Sequence, residues 1–238
     1  MMLHTILRKL NFLPLISRAA LLAVAALGLW AVLLTGCATQ PAFSQGSNEI
    51  LRGAIQPVKT PAGREVATFA GGCFWARDAM FRHLKGVDKV ESGFAGGRTP
   101  HPSYELVCTG KTGQAETVQI FFDPKVISYH DLLDVFFHTH DPTTLNEQAP
   151  DVGTQYRSAV FYHNAKQKAD TEAEIGEIEK AHLYPNSIVT QVVPYTGFWK
   201  AEDYHQNYFA LNPDDSYCQS VVGPEVARFR QLYKTRLK

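Results

Sequence analysis

One cysteine stands where a nucleophile would be built. Cys73 follows Gly71-Gly72 and precedes Phe74-Trp75. Residues 65–70 before it are mostly apolar, with β-branched Val66 and Thr68, and read as a buried strand. The run 76–84 after it sets Ala76, Ala79, Met80, His83 and Leu84 along one face of a helix that Gly86 ends. The two glycines make the turn between them. Cys73 then opens the helix, where free backbone N–H groups and the dipole favour a thiolate and a lowered pKa. Phe74 and Trp75 supply an aromatic wall suited to a small apolar or sulfur-bearing ligand. An inert buried thiol fits the same spacing, since free Cys is among the most buried residue types.

Glu116 is the second chemical candidate. In the strand expected over 115–122 it shares parity with Val118, Ile120 and Phe122. A carboxyl heading an inward apolar row is either buried or at the strand's mouth. Burial would keep it protonated near neutral pH and able to act as an acid. A solvated strand-end Glu is the other reading. Tyr104 and Tyr156 are assigned to two polar, Gly- and Pro-bearing loops, the first over 96–113 and the second beginning at His140. A lone loop tyrosine more often packs than reacts. The nine His and four Cys form no CxxC or HxxxH-type cluster, and the close pair His138 and His140 points apart on a helix end, so no metal and no cofactor is expected.

The elements that would position these groups follow in order. Residues 1–36 form a leader: Arg8, Lys9 and Arg18, then an apolar stretch from Ala19 to Leu34. Leu34-Thr35-Gly36-Cys37 resembles a bacterial lipobox, which implies lipidation of Cys37 and a membrane-anchored chain outside the cytoplasm. Ala38 after it points to the outer membrane. An uncleaved anchor helix is the alternative. Residues 37–64 are rich in Pro, Gly, Ser and Gln and read as a flexible tether; 65–238 form the single catalytic domain. Without the leader the net charge is near −3, which argues against a nucleic-acid partner. Cys73, Cys108 and Cys218 remain, an odd number that favours at least one reactive thiol in an oxidising compartment.

Within the domain, strands are expected at 65–70, 87–94, 115–122, 158–162 and 188–193. Helices are expected at 76–84, 128–138, 165–183, 201–211 and 224–237. The order β-α-β-β-α-β with additions fits an α/β (α+β) two-layer sandwich of ferredoxin-like plan, with added helices and a long C-terminal segment. A doubly wound parallel sheet ranks second, because the link from Phe94 to Ala115 shows no crossover helix.

Gly71-Gly72-Cys73-Phe74-Trp75 resembles the signature of A-type peptide methionine sulfoxide reductases. Six further stretches are similar at matching intervals: 92–97, Tyr104 to Gly110, Thr112 to Glu116, His140-Asp141-Pro142-Thr143, Asp151 to Ser158, and Ala201-Glu202-Asp203-Tyr204-His205-Gln206. The resemblance runs from about residue 65 to about 218. It implies that Cys73 attacks the sulfoxide sulfur and becomes a sulfenic acid. Glu116 would assist protonation of the oxygen, and Tyr104 and Tyr156 would hold it. Asp151 would organise that end of the site, and Phe74 and Trp75 would enclose the S-methyl group. It further implies the S epimer, oxidised proteins or free methionine sulfoxide as substrate, Cys218 as resolving thiol and a thioredoxin-like donor.

Gln114 departs from the family's His, and the segment 212–218 is one residue longer before its Cys. A helix-like stretch replaces the family's Gly-rich tail. Cys108 is read as structural, on the resemblance alone. Two other functions compete. A thiol peroxidase or disulfide-exchange enzyme would also use a low-pKa Cys, and an envelope lipoprotein could bind Met-rich segments through Phe74 and Trp75 without catalysis.

Overall fold

The computed structural model describes residues 58–238. The leader, Cys37 and most of the tether lie outside the described residues. Residues 58–64, the end of that tether, belong to the folded body. Val58 packs on a small apolar cluster, and Arg64 pairs with Asp88 and, at 3.0 Å, with Asp123. Among the described residues no helix is long and apolar enough to cross a membrane.

In chain order the elements are β1 (Glu65–Ala70), α1 (Phe74–Arg82), β2 (Val87–Ala95), α2 (Tyr104–Cys108), β3 (Ala115–Phe122) and α3 (Tyr129–Thr139). Then come the hairpin β4 (Glu147–Gln148) and β5 (Asp151–Val152), β6 (Ala159–Tyr162), α4 (Ala165–Lys180), β7 (Gln191–Pro194), β8 (Phe198–Lys200), α5 (Tyr208–Leu211) and α6 (Gly223–Leu232). One sheet runs β7-β6-β1-β3-β2-β8. β3 is antiparallel to β1 and β2, and β1 to β6. The central order β6-β1-β3-β2 is that of the expected ferredoxin-like sandwich. The antiparallel β2–β3 pair excludes the doubly wound sheet, since a crossover would have made the two parallel. β7 extends the sheet in parallel with β6, and β8 closes the other edge against β2.

Strand parity sorts the two faces. Phe69, Ile120 and Phe122 turn onto the helices and join Met80, Phe136 and Phe229 in the main buried cluster. Each such side chain contributes roughly 1.5–3 kcal/mol by burial. α3 begins one residue later than expected, behind Ser128, whose hydroxyl and Asp131 form a reciprocal capping box.

α1 is not the one-sided helix that its spacing suggests. Arg77 and Asp78 are also buried, because α1 is covered by the sheet on one side and by α6 on another. Their charges are met internally. Asp78 accepts two bonds from Arg82 at 2.7 and 2.8 Å, and Arg77 donates to the Thr139 carbonyl at 2.7 Å and pairs with Glu225 of α6.

Other boundaries differ for local reasons. The expected helix over 201–211 breaks at Asn207, whose φ of +56° lies in the left-handed region. It becomes a 3₁₀ turn, Asp203–His205, followed by α5. The expected helix over 224–237 ends at Leu232, with a separate turn at Lys234–Arg236. β4, β5 and β8 are two or three residues long, too short to show a period.

Candidate active site

The site begins at the corner between β1 and α1. Gly72 has φ +88°, and a Cβ there would lie 2.8 Å from the Gln148 side chain. A Cβ on Gly71 would lie 2.8 Å from the Phe136 ring. The glycines therefore let the chain turn while the β4–β5 hairpin and α3 press against it. His140 anchors this packing through Nδ1 to the Phe136 carbonyl at 2.6 Å and Nε2 to Ser158 Oγ at 2.7 Å. Burial holds its pKa down at about 3, so it is a neutral structural bridge. Cys73 is the N-cap of α1, half-buried, on a cavity of about 350 Å³ that Gln148 and Asp151 also line.

Glu116 heads the helix-facing row of β3 and is 2% exposed. Its Oε2 accepts the Phe74 backbone N–H at 3.0 Å, so the carboxyl is tied to the residue after Cys73. Burial raises its pKa to about 8, against the lowering effect of that bond. At neutral pH Glu116 carries a proton.

The thiol behaves against the expectation from its helix position. The Trp75 and Ala76 N–H groups do favour the thiolate, but burial and then the negative charge available to Glu116 outweigh them. The Cys73 pKa lies well above that of an ordinary thiol. Helix-dipole reasoning leaves out desolvation, which here opposes the charged form of the half-buried sulfur.

Tyr104 is not in a loop. It opens α2, which Ser103 caps, and its backbone N–H donates to Glu202 Oε1 at 3.1 Å. Tyr156 ends the 3₁₀ turn Thr154–Tyr156. Arg157 holds that turn, donating to the carbonyls of Thr154 at 2.8 Å and Gly113 at 2.9 Å. Burial, then Glu116, raises the pKa of both tyrosines, so both hydroxyls stay protonated. Gln114, in place of the family's His, accepts from Gly97 N at 3.0 Å and donates to the Thr99 carbonyl at 2.8 Å, closing the loop before α2.

The structure adds Tyr217, which the sequence reading passed over. Its hydroxyl donates to Asp151 Oδ2, and it also neighbours the Cys73 sulfur. Its only sequence signal is its place next to Cys218. The aromatic wall is deeper than two rings. Phe74 stacks on Tyr104 at 6.2 Å, and Trp75 on Tyr208 at 3.8 Å. The Trp75 indole N–H donates to His205 Nδ1 at 3.0 Å.

Cys73, Glu116, Tyr104, Tyr156 and Asp151 thus converge. Cys218 follows Tyr217 in the chain. It is 1% exposed, its N–H donates to Asp215 Oδ1 at 2.8 Å, and burial raises its pKa to about 11. Cys108, expected to be structural, is exposed at the end of α2 and close to Tyr104. All three thiols are free. Among the described residues, His130, Glu174 and Glu177 bring possible metal-ligand atoms within 4.8 Å of one another. None of the three belongs to the Cys73 cluster.

A thiol, a protonated carboxyl and tyrosyl donors inside an aromatic wall define a thiol-based oxidoreductase for an oxygen-bearing substrate. The family model for peptide methionine sulfoxide reductase matches residues 65–237. The peptide methionine sulfoxide reductase MsrA of Deinococcus radiodurans is 49% identical over 77% of this chain and 89% of its own. That of Thermus thermophilus is 50% identical over 73% and 98%. The crystal structure of Mxr1 from Saccharomyces cerevisiae in reduced form superposes with a TM-score of 0.63, at 38% identity, over 68% of this chain and 94% of that one. The chain belongs to the peptide methionine sulfoxide reductase family, A type, and is an oxidoreductase that reduces methionine sulfoxide.

Proposed function

We propose that Cys73 is the nucleophile, Glu116 the acid, and Tyr104 and Tyr156 the donors that hold the sulfoxide oxygen. The observation that carries this is the buried carboxyl of Glu116, fixed to Phe74 N at 3.0 Å beside the sulfur, where burial favours its protonated form. A sulfoxide sulfur becomes electrophilic as its oxygen is neutralised. Glu116 gives its proton to that oxygen and can receive the thiol's proton in return. Loss of its charge also removes the repulsion that opposes a Cys73 thiolate. The Cys73 sulfur bonds to the sulfoxide sulfur; the oxygen then passes to Cys73 as the substrate's S–O and new S–S bonds break, so thioether leaves and Cys73 becomes a sulfenic acid. Thiol and sulfoxide thus give sulfenic acid and thioether, with atoms balanced. Asp151, bonded to Tyr217, orders the far side, and Phe74 and Trp75 receive the S-methyl group.

The aromatic rings proposed for the methyl group and the hydroxyl donors proposed for the oxygen are different groups, which supports selection of one epimer. With racemic N-acetylmethionine sulfoxide and dithiothreitol, consumption should stop at half, leaving the R epimer. Consumption of both epimers, or of R alone, would refute this arrangement.

Recycling follows by condensation of Cys218 thiol with the sulfenic acid, releasing water and forming a disulfide. A thioredoxin-like dithiol then reduces it. Cys218 is buried at the start of a π-helical turn, Cys218–Val222, that runs into α6, and local opening of that turn would release its thiol. Peptide mapping after one equivalent of substrate without reductant should find a Cys73–Cys218 linkage. A lasting Cys73 sulfenic acid, or a Cys73–Cys108 linkage, would sink the resolver role.

The site of action is proposed from the leader alone: repair of oxidised proteins in the cell envelope, on a lipid anchor at Cys37. Cys37→Ala should move the protein from the membrane fraction to the soluble one. Unchanged membrane association would remove the lipid anchor from this reading.

A further inference from the structure

α3 and α4 pack against each other, and the reaction steps above use neither contact face. The capping box at Ser128 fixes the first turn of α3. The Tyr129 and Thr171 hydroxyls share a hydrogen bond at 3.3 Å that ties this turn to α4. Beside that bond stand His130 on α3 and Glu174 and Glu177 on α4, the last two on one helix face by their spacing of three. All three border a cavity of about 190 Å³. Lys166 lines it too, but its ammonium is taken by Asp170 at 2.6 Å.

Glu174 is the fixed corner of this group. Its side chain is 7% exposed, and its Oε2 has no hydrogen-bond partner. His130 Nε2 lies 3.0 Å from that oxygen, yet no hydrogen bond joins them. At that distance only direction can fail, so the ring nitrogen points aside of the oxygen. An imidazolium placed for an ion pair would aim its N–H at the carboxylate. Ligands of one metal ion behave otherwise: their lone pairs converge on the ion and not on each other. Burial raises the Glu174 pKa; His130 opposes this, and the charges of Asp134 and Glu177 add to it. A cation at this corner would relieve both burial and repulsion.

We propose that His130, Glu174 and Glu177 bind one Zn²⁺, with water as fourth ligand, and that the ion staples α3 to α4. One imidazole and two carboxylates suit the tetrahedral zinc site. A hard cation such as Mg²⁺ would take oxygen ligands alone. Donors at roughly 2.0–2.2 Å from zinc stand about 3.3 Å from one another. The three ligand atoms lie within 4.8 Å of one another, and His130 and Glu177 are exposed, so rotation of their side chains closes the difference. His130 lies on a different helix from the two Glu, so no spacing motif announces the site.

The test titrates reduced full-length protein with ZnCl₂ and counts bound equivalents. Free thiols also take zinc, so the readout is a difference. Wild type should bind one equivalent more than His130→Ala, Glu174→Gln or Glu177→Gln. Each variant should lose about 100-fold or more in affinity at this site, because even the outer partners of a metal ligand are worth roughly 10–100-fold. The melting temperature should rise further with ZnCl₂ in wild type than in the variants. Glu177 is exposed, so Glu177→Gln keeps the comparison open if Glu174→Gln fails to fold. Equal equivalents in wild type and the folded variants would overturn the proposal. Retention of the extra equivalent in His130→Ala would reduce the site to a carboxylate pair and overturn it as well.

Discussion

Cys73→Ser should form no thioether above background, even in a single turnover. Removal of a covalent nucleophile costs on the order of 10⁶ in rate. The hydroxyl that replaces it is a far weaker nucleophile toward sulfur. Cys108 and Cys218 remain in this variant, so the measurement also asks whether either can substitute. Cys218 is closed off by its own helix, whereas Cys108 is exposed near Tyr104. Stoichiometric product from Cys73→Ser would move the nucleophile to Cys108 and end the present assignment. The measurement is rapid quench with excess enzyme and quantified thioether, without external thiol.

Glu116→Gln should lower the single-turnover rate by about 10²–10⁴, the usual cost of losing a positioned acid. The amide can still hold the substrate oxygen, but it has no proton to give. A variant within twofold of wild type would refute the acid role. The pH dependence supplies a sign. The acid form of Glu116 is the active one, and its pKa is about 8, so the wild-type rate should fall on the alkaline side of that value. If formation of the Cys73 thiolate limited the rate instead, it would rise with pH. In Glu116→Gln the alkaline fall should vanish.

Stability carries the same signature. Between the ordinary 4.5 and about 8 the folded protein keeps a proton that the unfolded chain has released. Glu116 therefore favours folding below that window, and this contribution is lost as pH rises through about 8. The Gln variant should lack this slope in a series of thermal melts, and equal slopes would place Glu116 in water.

How much of the site could be read in advance depends on how local its causes are. The glycine turn, the strand before it and the helix after it are neighbours in sequence, so Cys73 could be placed at a helix start directly. Glu116 was legible because strand parity is a two-residue rule and its row is apolar. The ferredoxin-like order followed from alternation of element types. The short α2 was missed because five residues show no helical period; Ser103 and packing hold it.

Sequence by itself thus determined the chemistry on offer and the scaffold class, since both rest on residue type and short-range spacing. Tertiary structure alone decided which distant groups meet. Tyr217 reaches Asp151, and His205 reaches Trp75, across 66 and 130 positions respectively. It also decided the sign of the Cys73 shift. The helix start acts through adjacent N–H groups and favours the thiolate, but exclusion of water and the approach of Glu116 exist only once the sheet has closed under the helix. Desolvation is a property of the packed whole, and it prevails over the local dipole.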